Sequence, residues 1–131
     1  MGTGLLDTSV VIDWHDPAVA QALPDQLAIS AITLAELASG PHLAATPAEA
    51  AMRQVRLQEV ESKLEPLPLD AATARSYGQI VAAVVAAGRR PRSRVADLMI
   101  AAIAHSNGLD LYTRNPGDFA GLGDLITIVG I

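Results

Sequence analysis

The sequence predicts an α/β protein built around a mostly parallel sheet. Short apolar segments of strand length alternate along the chain with longer segments whose apolar residues recur at helical spacing. This alternation is typical of parallel strands joined by helical crossovers. With 131 residues, 50% of them hydrophobic, the chain is expected to form one domain over residues 1–131.

Four segments are predicted to be strands, because each is a short apolar run bounded by turn-forming residues. They are residues 5–7, 27–30, 109–113 and 126–129. In open parallel sheets, ligands bind in a crevice at the carboxyl ends of the strands. Asp7 ends the first strand, so we expect its carboxylate at such a crevice. A buried carboxylate is costly unless local bonds or a cation satisfy it.

Six helices are predicted from helical spacing and from capping residues. They span residues 9–14, 16–23, 33–39, 46–64, 70–88 and 94–106. The third helix is expected to stop at Gly40-Pro41, because glycine and proline break helices. Thr33 and Glu36 have the spacing of a capping box at its start. Ser93 is expected to cap the sixth helix.

Charge and composition exclude several classes of protein. The net charge of −5 argues against a general nucleic-acid coat protein but leaves room for a local basic groove. The chain has no cysteine, which excludes disulfides, thiolate metal sites and a cysteine nucleophile, and which fits a reducing compartment. The longest apolar run, residues 80–87, is too short to span a bilayer, and no signal peptide is recognised. We therefore expect a cytoplasmic protein without a membrane partner.

Four acidic residues stand among apolar neighbours, after a predicted strand or near the start of a predicted helix. They are Asp7, Glu36, Asp97 and Asp118. If they converge at one edge of the sheet, their repulsion requires a cation, and a set of oxygen ligands favours Mg²⁺ or Mn²⁺. Asp7 could instead accept hydrogen bonds from the Ser9 or Val10 amide in a turn. The other three could close a helix start, complement a helix dipole or cap a turn.

Three segments resemble the PIN-domain family, in particular the VapC-type toxins of bacterial toxin–antitoxin pairs. They read LLDTSVV from residue 5, ITLAELASG from residue 32 and RSRVADLMIAAIAHSNGLDLYTRNPGDF from residue 92. The resemblance implies a three-layer α/β/α sandwich around a mostly parallel sheet of four or five strands. It also implies a Mg²⁺-dependent endoribonuclease, with Mn²⁺ as a substitute, that cuts single-stranded or structured RNA and is neutralised by a cognate antitoxin.

The resemblance also assigns roles by position. Asp7, Glu36 and Asp97 match the family's metal-binding acids. Many members have a fourth acid where this chain has Asn115, and Asp118 is the nearest carboxylate, so we include Asp118 in the expected catalytic set. Because Asn115 is uncharged, the alternative is a catalytically weak PIN-like domain that binds RNA or protein. Auxiliary roles at the metal or the phosphate are expected for Ser9, Thr113 and Asn115.

Arginines near these acids are predicted to bind RNA phosphates, because the planar guanidinium suits phosphate. They are Arg89, Arg90, Arg92, Arg94 and Arg114. Residues 73–87 include more apolar side chains than one buried face requires, so we expect homodimer and antitoxin surfaces there. An acidic pocket beside an apolar groove would suit an antitoxin peptide whose basic side chain pairs with Asp7 or Asp97.

Overall fold

The computed structural model describes residues 2–131, and this part of the chain folds into four strands and six α-helices. The strands are β1 (Thr3–Leu6), β2 (Gln26–Ala28), β3 (Asp110–Thr113) and β4 (Ile128–Gly130). The helices are α1 (Thr8–Ile12), α2 (Pro17–Ala22), α3 (Ala31–Leu43), α4 (Pro47–Lys63), α5 (Ala71–Ala86) and α6 (Val95–Ser106). Two short 3₁₀ turns are formed by Pro91–Arg94 and Pro116–Phe119.

The four strands form one sheet in the order β2-β1-β3-β4, and every pair is parallel. The central strand β1 pairs with both neighbours, so that Leu5 lies opposite Ala28 of β2 and Leu111 of β3. Parallel neighbours need long crossovers. The α-helices supply those between β1, β2 and β3, whereas β3 and β4 are joined by a segment that contains only the 3₁₀ turn Pro116–Phe119. The predicted parallel α/β class is therefore confirmed.

Helices cover both faces of the sheet. Successive side chains of a strand point to opposite sides, so the apolar strand residues form one buried cluster on each face. Leu5 and Leu111 pack in one buried cluster with α5 and α6, whereas Leu6 and Tyr112 pack in a second cluster with α1 to α4. Leu5 and Leu6 are both fully buried, which contributes ~1.5–3 kcal/mol for each side chain. The three-layer α/β/α arrangement implied by the resemblance is confirmed. No helix within residues 2–131 is both long and apolar enough to cross a membrane.

Three of the helices begin at the capping residues that the sequence indicates. The side chains of Asp16, Thr46 and Asp70 accept hydrogen bonds from backbone amides in the first turns of α2, α4 and α5, at 2.9, 3.1 and 2.9 Å. A cap of this kind contributes ~1 kcal/mol to helix stability.

Helix α3 differs from the prediction at both ends. Its cap is Ser30, whose hydroxyl accepts from the Thr33 amide at 3.0 Å, so the capping box of Thr33 with Glu36 is wrong. The helix also runs through Gly40 and Pro41 to Leu43. Packing against α4 outweighs the local breakers, and Arg53 of α4 donates to the Gly40 carbonyl at 2.9 Å.

Most other boundaries shift by one or two residues from the predicted ones, and two of the differences change what a residue does. Ser93 does not cap α6; its hydroxyl donates to the Arg90 carbonyl at 3.0 Å, inside the 3₁₀ turn that leads directly into the helix. Strand β4 begins two residues later than predicted, at Ile128. Ile126 instead closes a turn, with its amide donating to the Leu122 carbonyl at 3.1 Å and its side chain buried.

Candidate functional site

Asp7 lies directly after the carboxyl end of β1, next to the carboxyl end of β3. Its amide donates to the Tyr112 carbonyl at 2.8 Å, which extends the pairing of the two strands by one bond. The Thr113 hydroxyl, at the end of β3, donates to Asp7 Oδ2 at 2.8 Å. Parallel pairing of β1 with β3 therefore joins two polar side chains that are far apart in the sequence.

The Asp7 carboxylate is buried and satisfied by local donors. The Thr8 amide donates to Oδ1 at 2.9 Å, and the Ser9 hydroxyl shares Oδ2 with Thr113 at 2.8 Å. Asp7 thus caps α1 through Thr8, not through the Ser9 or Val10 amide. With 5% of its surface exposed, Asp7 is held in one orientation by these bonds.

Glu36 lies in the middle of α3, so helix capping does not explain it. Its Oε1 accepts from the Thr8 hydroxyl at 2.7 Å, and the same hydroxyl lies 2.9 Å from Thr33 Oγ1. Ser30 extends this chain of hydroxyls to Thr33 at 3.3 Å. Thr8 therefore links the Glu36 carboxylate to the turn that holds Asp7.

Asp97 occupies the first turn of α6 and has the most perturbed acid–base behaviour in the site. Its pKa is raised to about 6, mainly by burial and then by the negative charges of Asp7, Asp118 and Glu36, while the charge of Arg94 partly opposes the shift. A helix dipole alone would stabilise the charged form, so the dipole explanation does not account for Asp97. The four predicted acids form one electrostatically coupled patch.

Asp118 lies in the 3₁₀ turn after β3 and is ion-paired. Its Oδ1 is 2.6 Å from Nη1 of Arg94, and the same Nη1 is 3.9 Å from Oδ2 of Asp97. The exposed Asn115 begins this turn, and its amide donates to Thr113 Oγ1 at 3.0 Å. Asp118 is thus the carboxylate that this turn contributes to the patch.

Carboxylate oxygens are the ligands that hard divalent cations prefer, and the raised pKa of Asp97 reflects burial and, after it, a repulsion among the acids that a cation would relieve. Within residues 2–131, however, no three histidine, aspartate or glutamate side chains form a group that could hold a metal ion. Asp7, Glu36 and Asp118 are instead engaged by hydroxyls or by Arg94. Binding of a metal ion at this patch would therefore require some of these side chains to change partners.

The five arginines predicted to bind phosphate fall into two groups. Arg94 is paired with Asp118, and Arg114 is paired with Asp13 at 2.7 Å. We call the remaining three, between α5 and α6, the loop arginines: Arg89, Arg90 and Arg92. Arg90 and Arg92 are exposed and Arg89 is half-buried, so the loop presents positive charge beside the helix that supplies Asp97.

A groove lies between α1, α3 and α4, and the sequence did not predict an apolar groove at this position. It has a volume of about 540 Å³, and Thr8 and Glu36 line it together with exposed apolar side chains. Leu43 is 75% exposed and Met52 is 65% exposed. Met52 lies outside the buried face of α4, and an apolar residue at this exposed helix position was the one sequence signal from which the groove could have been predicted.

Comparisons with known proteins identify the family of this chain. The PIN-domain family profile matches residues 4–124. Ribonuclease VapC5 of Mycobacterium tuberculosis is 40% identical over 121 residues, covering 91% of this chain and 87% of the relative. Plasmid stability protein StbB of Pseudomonas syringae pv. tomato is 37% identical, covering 91% of this chain and 92% of that protein.

Solved structures support the same assignment. The crystal structure of VapBC-5, a toxin–antitoxin system of M. tuberculosis, matches with a TM-score of 0.86 and 37% identity over 100% of both chains. FitAcB of Neisseria gonorrhoeae matches with a TM-score of 0.76 and 27% identity, covering 98% of this chain and 96% of that chain. The chain belongs to the PIN-domain family and, within it, to the VapC-type proteins.

Proposed function

We propose that this protein is a Mg²⁺-dependent endoribonuclease toxin that hydrolyses phosphodiester bonds of RNA and is neutralised by a cognate antitoxin. The observation that supports it most is the coupled acidic patch at the carboxyl end of β1. There, Asp97 has a pKa of about 6 because it is buried near the charges of Asp7, Asp118 and Glu36. The relative at 40% identity is named a ribonuclease, which supports the same chemistry.

In this proposal Asp7, Glu36 and Asp97 hold the metal, and Asp118 completes the catalytic set. A bound Mg²⁺ supplies an activated water and neutralises charge that develops on the phosphate. The Ser9 and Thr113 hydroxyls fix the Asp7 carboxylate by donating to Oδ2. Thr8 orients Glu36 in the same way. The loop arginines are proposed to hold the RNA backbone, because guanidinium groups pair well with phosphates.

A second candidate is a catalytically weak PIN-like domain that binds RNA or protein. It is favoured by Asn115, which is uncharged where many relatives are expected to have an acid. It is also favoured by the lack, within residues 2–131, of a group of three acids arranged to hold a metal. Such a module would bind RNA without cutting it and without a response to divalent cations.

Cleavage of RNA by the purified protein separates the two candidates. The nuclease should cut in Mg²⁺, stop in EDTA and recover in Mg²⁺ or Mn²⁺. Asp7→Asn should remove most activity and still fold, because Oδ1 can keep the Thr8 bond and the hydroxyls of Ser9 and Thr113 can reorient to accept from the amide. Exposed Asp124 offers a matched Asp→Asn control, and its replacement should leave cleavage unchanged.

Circular dichroism of both variants verifies the fold. If Asp7→Asn cuts RNA at the rate of the parent, Asp7 is not a metal-binding catalytic residue. If EDTA leaves cleavage intact, the activity is not metal-dependent.

The antitoxin part of the proposal is supported by the groove between α1, α3 and α4. Leu43 and Met52 offer exposed apolar surface, and Glu36 brings negative charge to the same groove. These features fit an amphipathic antitoxin segment with a basic side chain directed at the acids. Glu36 and Asp97 are the accessible partners for that side chain, because Asp7 is almost completely buried.

Met52→Glu tests the groove. Losing one buried methionine contact of ~2 kcal/mol should weaken antitoxin binding by about 30-fold while RNA cleavage by the free toxin is retained. Val85→Glu is the matched control: Val85 is 58% exposed and lies on α5, where the sequence predicted homodimer and antitoxin surfaces. If Val85→Glu weakens antitoxin binding and Met52→Glu does not, the antitoxin occupies α5 instead.

A further inference from the structure

Arg94 differs from the loop arginines because its charge points into the acidic patch. Nη1 stands 2.6 Å from Asp118 Oδ1 and 3.9 Å from Asp97 Oδ2. Arg94 ends the 3₁₀ turn Pro91–Arg94, which runs directly into α6, so the backbone places its side chain beside the first turn that contains Asp97. One guanidinium thereby reaches acids from two separate segments of the chain.

The pairing is partly shielded from solvent. The side chains of Arg94, Asp97 and Asp118 are 32%, 33% and 40% exposed. Arg94 also offsets part of the repulsion among the acids, since its charge lowers the pKa of Asp97 against the combined effect of the other carboxylates. The guanidinium therefore already provides some of the positive charge that a metal ion would bring to this patch.

We propose that Arg94 is an internal counterion that competes with the divalent cation for Asp118 and Asp97. The inference rests on the proposed metal dependence and adds a regulatory contact to it. In the metal-free protein Arg94 occupies Asp118, and a cation gains the full set of acids only when the guanidinium leaves. The metal affinity of the intact protein is then lower than its carboxylates alone would give.

Mn²⁺ binding to the RNA-free protein tests the competition without any measurement of activity. Arg94→Gln should bind Mn²⁺ about two- to fivefold more tightly in calorimetry at low salt, as expected for releasing a partly exposed ion pair. The difference should shrink as KCl is added, because salt screens such pairs. Arg92→Gln removes the same charge from the exposed part of the same loop and should change the affinity much less.

A double-mutant cycle tests whether Arg94 lowers the Mn²⁺ affinity through its ion pair with Asp118. In an Asp118→Asn background, Arg94→Gln should tighten Mn²⁺ binding less than it does in the parent, because the main partner of the guanidinium is gone. Arg94→Lys, which keeps the charge but loses the planar fork, should fall between parent and Arg94→Gln. Circular dichroism of each variant verifies that it folds.

Two outcomes would overturn the proposal while leaving the metal site intact. Unchanged or weaker Mn²⁺ binding by Arg94→Gln would make Arg94 a structural clamp between α6 and the Asp118 turn. An equal increase in Mn²⁺ affinity in Arg92→Gln would show that the effect comes from the net charge of the protein and not from the contacts of Arg94. Failure of both the parent and Arg94→Gln to bind Mn²⁺ would instead refute the metal-dependent function, and this inference with it.

Discussion

Removing the charge of Asp97 should stabilise the metal-free protein at neutral pH. Its pKa of about 6 lies above the ordinary value of about 3.9. As the pH rises from about 4 to about 6, the folded protein still holds a proton that the unfolded chain has released, so stability is lost across this window. Above about pH 6 Asp97 is ionised in both states, and the loss in the free energy of unfolding no longer changes with pH. Asp97→Asn has no carboxylate to ionise at this position, so it does not lose this stability as the pH rises.

The size of the effect follows from the pKa and the exposure of the side chain. For a fully buried group, this difference in pKa would correspond to ~3 kcal/mol. The Asp97 side chain is 33% exposed, so solvent screening lowers the expected gain to ~1 kcal/mol. For a chain of this length, that gain raises the midpoint of thermal unfolding by about 4 °C.

Urea unfolding in EDTA at pH 7 and at pH 4 measures the difference. Asp97→Asn should be more stable than the parent at pH 7 and nearly equal to it at pH 4, whereas exposed Asp124→Asn should match the parent at both. Saturating Mg²⁺ should stabilise the parent, because a ligand that binds the folded state adds stability. It should not stabilise Asp97→Asn, which lacks one of the carboxylates proposed to hold the metal. The same gain at both pH values, or no gain at pH 7, would refute the electrostatic reasoning.

Three other perturbations probe the contacts around the site and the sheet. Replacing the loop arginines by Ala should weaken RNA binding and flatten its dependence on KCl, because fewer counterions are released; a filter-binding series measures the slope, and an unchanged slope would make the loop plain solvated surface. Thr8→Val should slow RNA cleavage by removing the 2.7 Å bond to Glu36, with Thr8→Ser retaining most activity; equal rates would show that this bond does not position the acid. Gly4→Ala should destabilise the fold by ~1–3 kcal/mol in urea, because a Cβ there would lie 2.5 Å from the Tyr112 ring. Gly78→Ala, in an exposed and open part of α5, should stabilise it by ~1 kcal/mol, and the opposite order would refute the packing argument.

The sequence predicted the layers of the fold because they follow from local patterns. Each of the four strands overlaps its predicted segment, and Asp16, Thr46 and Asp70 cap the starts of their helices as expected. The predictions failed where a distant contact decides. Ser30 and Thr33 are both good caps by composition, and the hydroxyl of Thr8 bonds to Thr33 from 25 residues away.

The sequence could indicate candidate acids for the site, but it could not indicate the bonds that these acids form. Asp7 and Asp97 could be chosen as candidates because one directly follows a strand and the other lies in the first turn of a helix that packs on the sheet. The bond from Thr113 to Asp7 spans 106 residues, and the ion pair of Arg94 with Asp118 spans 24. Local periodicity contains no information about such pairs, because only the assembled sheet brings them together.

The position of β1 inside the sheet, between β2 and β3, has a consequence for folding during synthesis on the ribosome. Thr113, the partner of Asp7, is made 106 residues after it, an interval of roughly 5 to 20 s at ordinary rates of synthesis. Until β3 arrives, β1 has one open edge, and Leu5 lacks its neighbour Leu111. A nascent chain that stalls before β3 therefore has an incomplete acidic patch and an unpaired apolar strand, which is a template for aggregation.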